Sequence, residues 1–477
     1  MVRAKWLSSS LALAASVLLA TVSPVASQTL YEGARLITGD GSVIENSAFV
    51  VQGALFSQVG RKGEVPLPQG GTRVDLTGKT VMPTLVDLHG HLGFQDLANG
   101  TMSKEMFNRE NLIDHLQRFA YNGVGAVVGV GDLVDRSDMK GGRTGWGDVP
   151  LKVRNQAVPG AAMYQTAGTG MAWPGSGAQG DPSRVDVAYP VSTPAEARAA
   201  VDDYVKIKPL FIKIWVDDRD GAKKTLTPEL YGAILDEAHK FNVPVAVHNV
   251  KQSDAIAEMR GGMEGWLHVP VRQGEVANDE ILAIVRDRVA RNDRPVIWMT
   301  PALVTAWMNT QGGPTRPVWL DDPLLTSTYS KADIEKFWGE PLKKMTPAQV
   351  ARAKSSFASD GKSAMLLRAA GMKIVGGTDT GQTRHLMGFF NHIDLESQVA
   401  MGLTPMEAIV GATHTGADIG GFNTGLVTAG RQADFIVLDA NPLDNISNTR
   451  KINKVYLRGM EVPRAEFALR WQAKFKN

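Results

Sequence analysis

The spacing of apolar and polar positions divides the chain into stretches of different period. Residues 30 to 82 carry short apolar pieces, such as Ala48-Phe49-Val50-Val51 and Phe56-Ser57-Gln58-Val59. Turn-forming residues at Gly39-Asp40-Gly41 and Gln69-Gly70-Gly71 separate them, a pattern that predicts short strands. The far end reads the same way, with Ala433-Asp434-Phe435-Ile436-Val437-Leu438 and Lys454-Val455-Tyr456-Leu457 divided by Asn441-Pro442. From about 82 to 423 buried-strand runs alternate with helical patterns, which predicts β-α-β units around a parallel sheet. Eight runs qualify as strands, around 82–90, 124–131, 158–166, 210–216, 243–249, 264–269, 295–300 and 372–378.

The helices between them have clear starts. Thr193-Pro194-Ala195-Glu196, Thr346-Pro347-Ala348-Gln349 and Thr404-Pro405-Met406-Glu407 each place a threonine cap before a first-turn proline and a third-position acid or amide. Thr227-Pro228 opens another, with Leu230, Ile234, Leu235, Ala238 and Phe241 on one face. Eight strand-then-helix units predict an α/β fold, a (β/α)8 TIM barrel over 82–423. The stretch Pro301 to Gly371, too long for a plain crossover, holds Trp307, Trp319 and Trp338 and is expected to fold over the barrel mouth. Those tryptophans, with Trp215 and Trp266, read first as core packing and second as a hint of an apolar leaving group.

Residues 1–27 have a different character. Arg3 and Lys5 precede an apolar run from Leu7 to Ala20, and Val25-Ala26-Ser27 stands before Gln28. A basic start, an apolar stretch and small residues before a cut describe a secretory signal. The run is shorter than the ~20 residues that span a bilayer, which makes a retained anchor the weaker alternative. The expectation is a secreted or periplasmic protein, cleaved near Ser27, with no stable membrane insertion afterwards.

Charge changes the picture little. The chain has 51 basic and 49 acidic residues, and the two basic residues of the leading segment account for the excess. A neutral mature chain carries no footprint for nucleic acid, so the expected partner is a small-molecule substrate; a homo-oligomer is compatible with the sequence. The 477 residues contain no cysteine, which excludes a disulfide scaffold, a thiol nucleophile and thiolate-bound metal.

The candidate chemistry sits at strand ends. His89 and His91 end the first strand in Leu85-Val86-Asp87-Leu88-His89-Gly90-His91, and alternate strand residues share a face. His248 ends the fifth strand, His268 the sixth, and Asp379 follows the eighth in Gly376-Gly377-Thr378-Asp379. Lys213 interrupts the apolar run Leu210-Phe211-Ile212-Lys213-Ile214-Trp215-Val216. A lone buried ammonium is expensive. The lysine is therefore either paired with Asp217 or Asp218, or converted to an anionic ligand. Six metal-type residues at the ends of five strands, where barrel enzymes keep their chemistry, predict a metal site. His385 and His392, just after Asp379, are candidates for supporting or substrate contacts; His115, His239 and His414 read as packing residues. Asp87 and Glu264 are candidate acceptors behind the histidine ligands.

These residues, with Asp75-Leu76-Thr77-Gly78-Lys79-Thr80-Val81-Met82-Pro83, Gly402-Leu403-Thr404-Pro405-Met406-Glu407-Ala408 and Gly430-Arg431-Gln432-Ala433-Asp434, resemble the amidohydrolase superfamily. The likeness is to its imidazolonepropionase-like and prolidase-like metal-dependent hydrolases and covers nearly the whole mature chain. The resemblance implies a barrel (82–423) with a small β-sandwich built from both ends (28–81 and 424–477). It implies two divalent ions, zinc first, bridged by a carboxylated Lys213 and a hydroxide. His89, His91 and Asp379 would hold one ion, His248 and His268 the other. The expected reaction is hydrolysis of a C–N bond in an amide, dipeptide, urea, carbamate or N-acyl amino acid, with Asp379 moving the proton. An organophosphate or lactone hydrolase on the same centre, and a binding protein with a degenerate site, are the alternatives. The chain departs from the family pattern at Thr84, where glycine is usual, at Leu267, where glutamate is usual, and at Gln52-Gly53-Ala54-Leu55.

Overall fold

The structure is a computed structural model that describes residues 28–97, 100–134, 147–178, 184, 187–272, 274–292, 296–382 and 385–475. The leading segment expected to be a signal lies outside the described residues. All eight expected strands are present: β1 (Leu85–Gly90), β2 (Val124–Gly129), β3 (Met163–Thr166), β4 (Ile212–Val216), β5 (Val245–Asn249), β6 (Gly265–Trp266), β7 (Trp298–Met299) and β8 (Lys373–Ile374). They pair in parallel, β3-β2-β1 in one sheet and β4-β5-β6-β7-β8 in a second. Short strands Met171–Ala172 and Tyr189–Pro190 extend the second sheet beyond β4. Hydrogen bonds also run between the two sheets: the Leu88 N–H donates to the Gly376 carbonyl at 3.0 Å and the Leu210 N–H to the Thr166 carbonyl at 3.2 Å.

Several strands are shorter than their apolar runs. Residues 158–162 turn at Gly160, whose φ is +66°, so β3 begins only at Met163. Past β8 the chain stays buried at Val375 but leaves the regular ladder, keeping isolated bonds to both neighbours, such as the Val375 N–H to the Met299 carbonyl and the Leu88 N–H to the Gly376 carbonyl, each 3.0 Å. Apolar runs report burial, and burial outlasts pairing at these strand ends. Thr193, Thr346 and Thr404 cap their helices as expected, the last two with complete capping boxes. Thr227 precedes the helix Pro228–Lys240 without capping it, and Phe241 lies beyond that helix, 46% exposed.

The parallel strands are covered on both sides, the rule for parallel sheets. Ile212, Ile214, Val245 and Val247 face a core shared with the helical Leu230, Ile234 and Leu235. On the other side Val86, Leu88, Ala126, Val128, Ala246, Leu267, Trp298 and Val375 form a separate apolar core. Leu267, the residue standing where the family has glutamate, belongs to that core. Thr84 is accommodated by Gly125 on β2: a Cβ there would lie 2.1 Å from Thr84 Oγ1.

The two ends of the chain meet in one six-stranded sheet, in the order Met460–Glu461, Ile452–Leu457, Phe435–Leu438, Thr80–Pro83, Arg35–Ile37, Val43–Ile44. A second sheet of four strands runs Leu55–Arg61, Ser47–Gln52, Gln28–Glu32, Thr72–Asp75. Both contribute to one buried cluster that includes Tyr31, Phe49 and Phe56 with Val81, Phe435 and Tyr456. The segment 301–371 is mainly helical, ending in the long helix Pro347–Ala369. Trp319 packs tilted against Phe389 and Trp338 edge-on against Phe390. Phe337 abuts Gly100 in the loop after β1, and a small pocket between them is also lined by Tyr329, His385 and Leu386. The segment thus lies against loops that follow β1 and β8.

Phe435 is fully buried and touches the rings of Tyr31, Phe49, Phe56 and Tyr456. Phe435→Ala is expected to destabilise the chain by about 3–5 kcal/mol, read as a shifted midpoint in urea denaturation.

Candidate metal centre

His89, His91 and Asp379 stand together. Their nearest ligand atoms lie within 4.8 Å of one another; Asp379 Oδ1 is 3.3 Å from His89 Nε2 and 3.0 Å from His91 Nε2. Backbone bonds hold the two chain segments in this relation. The Asp379 N–H donates to the His89 carbonyl at 2.8 Å and the His91 N–H to the Thr380 carbonyl at 2.6 Å. The approach is so close that a Cβ on Gly381, at φ +123°, would lie 1.7 Å from the His91 carbonyl oxygen. Asp379 itself has φ +56°, a left-handed conformation that aspartate tolerates better than most residues.

The second pair adjoins the first. The His268 ring is 5.0 Å from that of His89 and 4.6 Å from that of His248. Lys213, fully buried on β4, points its Nζ over the Trp215 ring at 4.9 Å. Gly170 makes room for this arrangement, since a Cβ there would lie 2.5 Å from Trp215 and 3.0 Å from Lys213 Cγ. Nζ has no hydrogen-bond partner among the described residues. The two acids expected to neutralise it are engaged elsewhere: Asp217 lies 3.0 Å from His248 Nε2, and Asp218 pairs with Lys251. Of the two readings of Lys213, the paired one is therefore overturned.

Electrostatics prepare these groups to act as ligands. Burial drives the imidazoles below their ordinary range, His91 to about 3, His248 to about 4, and His89 and His268 well down. They are neutral at pH 7 and keep a lone pair for a cation. Burial also lowers Lys213 to about 7, with Arg184 and Arg219 adding to the effect and Asp379 opposing it. Burial would raise the Asp379 carboxyl, but the imidazoles of His89, His91 and His268 outweigh it and hold it well below the usual carboxylate range. Four buried nitrogens in this group, His89 Nε2, His91 Nδ1, His268 Nδ1 and Lys213 Nζ, lack a hydrogen-bond partner among the described residues. Buried polar atoms are normally satisfied, and an all-nitrogen-and-oxygen donor set with spare lone pairs fits divalent cations.

The supporting contacts differ from those expected. His385 does reach the site, its Nδ1 2.9 Å from the Asp379 carbonyl oxygen. His392 does not: its ring is held between Thr449 Oγ1 at 3.0 Å and the Asn122 carbonyl at 2.9 Å, which leaves no ring nitrogen for a substrate. Asp87 serves the backbone rather than an imidazole, accepting from the His89 N–H at 2.9 Å and the Thr378 hydroxyl at 2.7 Å. Glu264 accepts from the Val245 N–H at 2.8 Å and lies 3.1 Å from His239. His115 bridges Gly93 and Gln95. The contacts that sequence reasoning missed are Thr300, 3.3 Å from His89 Nδ1, Asp217 as the partner of His248, and Arg272. The Arg272 Nε is buried without a hydrogen-bond partner. Its charge acts on His268 and Asp379. An arginine four residues past a strand-end histidine was the available signal.

Residues 334–462 match the amidohydrolase family. Ochratoxinase from Aspergillus niger is 23% identical over 88% of this chain and 82% of its own length. An imidazolonepropionase from Pseudomonas savastanoi pv. phaseolicola is 34% identical over 73 residues, 15% of this chain and 18% of that one. Among solved structures, a Xaa-Pro dipeptidase with bound methionine in its active site superposes with a TM-score of 0.67 at 21% identity, covering 91% of this chain and 99% of that one. This structural likeness is one of fold.

With divalent ions removed by a chelator, Lys213→Met is expected to stabilise the chain by about 1–3 kcal/mol, because it removes an unpartnered buried amine. With ions restored the order is expected to reverse. Paired chemical denaturation curves check both.

Proposed function

We propose that the chain is a member of the amidohydrolase superfamily, a metal-dependent C–N hydrolase or dipeptidase, and that it cleaves the amide bond of a small carboxylate-bearing substrate. The scope retained from the sequence is amide, dipeptide, urea, carbamate or N-acyl amino acid, and two divalent ions, zinc first, serve the reaction. The observation that carries this reading is the unpartnered Lys213 amine set among four neutral histidines and Asp379. In our reading His89, His91 and Asp379 would hold one ion, His248 and His268 would hold the other, and a carboxylated Lys213 would serve both. In carboxylation the neutral amine attacks carbon dioxide, an N–C bond forms and a proton leaves. An amine lowered to about 7 by burial supplies the neutral form.

When bound, divalent ions polarise a substrate carbonyl and lower the pKa of water toward 7. The chain's own residues do the rest. Asp379 is the one carboxylate of the group and is partly open, its side chain 22% exposed. It accepts the proton of the attacking water and returns it to the leaving nitrogen, a positioned acid-base role. Arg272 gives the His268 side of the site a positive charge, which attracts a substrate carboxylate and favours dipeptides and N-acyl amino acids over neutral ureas. His89, His91 and Asp379 gather their ligand atoms, with the His268 ring beside His89 and the His248 ring beside His268, which supports catalysis over a degenerate binding site.

The same reading covers the architecture. The bonds Leu88 to Gly376 and Leu210 to Thr166 support closure of the two parallel sheets into one (β/α)8 barrel over 82–423. The shared aromatic cluster supports a β-sandwich of 28–81 and 424–477. The basic-then-apolar leader supports export to the periplasm or beyond.

Asp379→Asn is expected to keep its metal content while kcat falls about 10²–10⁴-fold; turnover near the parent rate overturns the assignment. Arg272→Met is expected to raise KM for an N-acyl amino acid about ten- to a hundredfold and to leave the matching primary amide unchanged, in steady-state assays of the two substrates side by side.

A further inference from the structure

The end of β4 reaches across to the end of β5. Asp217, the residue after Val216, is buried, and its Oδ2 lies 3.0 Å from Nε2 of His248. The aspartate is itself pinned from several sides. Its Oδ1 accepts the Arg219 N–H at 2.8 Å, its Oδ2 lies 3.0 Å from the Arg219 guanidinium, and its own N–H donates to Thr225 Oγ1 at 2.8 Å. The neighbouring Asp218 pairs with Lys251, three residues past His248. Two adjacent carboxylates therefore clasp the same loop, one through an imidazole and the other through an ammonium.

We propose that Asp217 is the positioning residue of His248 and selects Nδ1 as the atom that this histidine presents to the second ion. The assignment rests on the two-ion reading above. A neutral imidazole carries one N–H and one lone pair. A carboxylate facing Nε2 keeps the proton there, which puts the lone pair on Nδ1. It also fixes the ring's rotation and makes the lone pair more basic. His89 has the opposite arrangement: Nδ1 meets the Thr300 hydroxyl, and Nε2 is the atom beside Asp379. The two strand-end histidines thus use different nitrogens, and the partner behind each ring makes the choice. His89 and His91 meet a carboxylate only in Asp379, itself assigned to the first ion, whereas His248 faces Asp217, which is assigned to neither; the pinning of Asp217 by Arg219 and Thr225 keeps that carboxylate in place.

The test is a zinc titration of the full chain against a competing chromophoric chelator, with metal-to-protein ratios measured after gel filtration. The parent is expected to bind two ions. Asp217→Ala is expected to keep the first and to bind the second about ten- to a hundredfold more weakly. Asp217→Asn, which retains an acceptor but not the charge, is expected to fall between them and covers the case in which the alanine variant fails to fold. Asp218→Asn cuts the neighbouring clasp without touching His248 and is expected to leave both affinities at the parent level. A parent with two ions and an Asp217→Ala variant with two equally tight ones overturns the assignment alone. So does an Asp218→Asn variant that loses the second ion as readily, since the effect would then be loop loosening. A parent that binds a single ion overturns the two-ion reading and this assignment with it.

Discussion

The amine of Lys213 is placed inside the protein with no hydrogen-bond partner among the described residues, and much of the site's architecture follows from that constraint. Both candidate counter-ions one turn of chain away are committed, Asp217 to His248 and Asp218 to Lys251. Trp215 lies over the amine and Gly170 leaves the space for both side chains. Burial of such a group without compensation is costly, and the surrounding imidazoles, neutral through the same burial, offer lone pairs rather than charge.

The backbone holds this cluster more firmly than side-chain contacts do. The end of β1 and the loop after β8 are laced by the bonds from Asp379 to His89 and from His91 to Thr380. Asp87 reinforces the lacing from beneath by accepting from His89, Thr378 and Asn391. The first ligand group therefore depends on residues nearly 300 positions apart in sequence being neighbours in one sheet edge. The second group depends on the adjacent strands β4, β5 and β6, and there the control passes to side chains, chiefly Asp217. Positive charge from Arg272 and Arg219 borders that second group, which gives the two sides of the site different electrostatic character.

Much of this was legible in the chain. Eight apolar runs became eight parallel strands, and three threonine-proline starts became capped helices. His89, His91 and Asp379 could be picked out because each stands at the end of a run whose burial was evident. The pairing of Lys213 with Asp217 or Asp218 was one of two readings and failed, because Asp217, just past the end of β4, is committed to His248 and Arg219 and Asp218 to Lys251. His392 also failed: it stands in the first turn of helix Phe389–Ala400 and its ring meets Thr449 and Asn122 rather than the site. Strand ends were misjudged where burial continued after the ladder stopped.

Local pattern determined the order of elements, the apolar strands, the donor types available without cysteine, and the presence of a lysine that burial would make reactive. Those properties depend on composition and period, which are written along the chain. Tertiary structure alone decided which donors meet, which nitrogen of each histidine is left free, and which acids are committed to other partners. These depend on contacts between segments far apart in sequence, such as Asp379 with His91 and Thr300 with His89. A hydrogen bond is directional and short-ranged, so its partner is chosen only when folding has set both groups within about 3 Å.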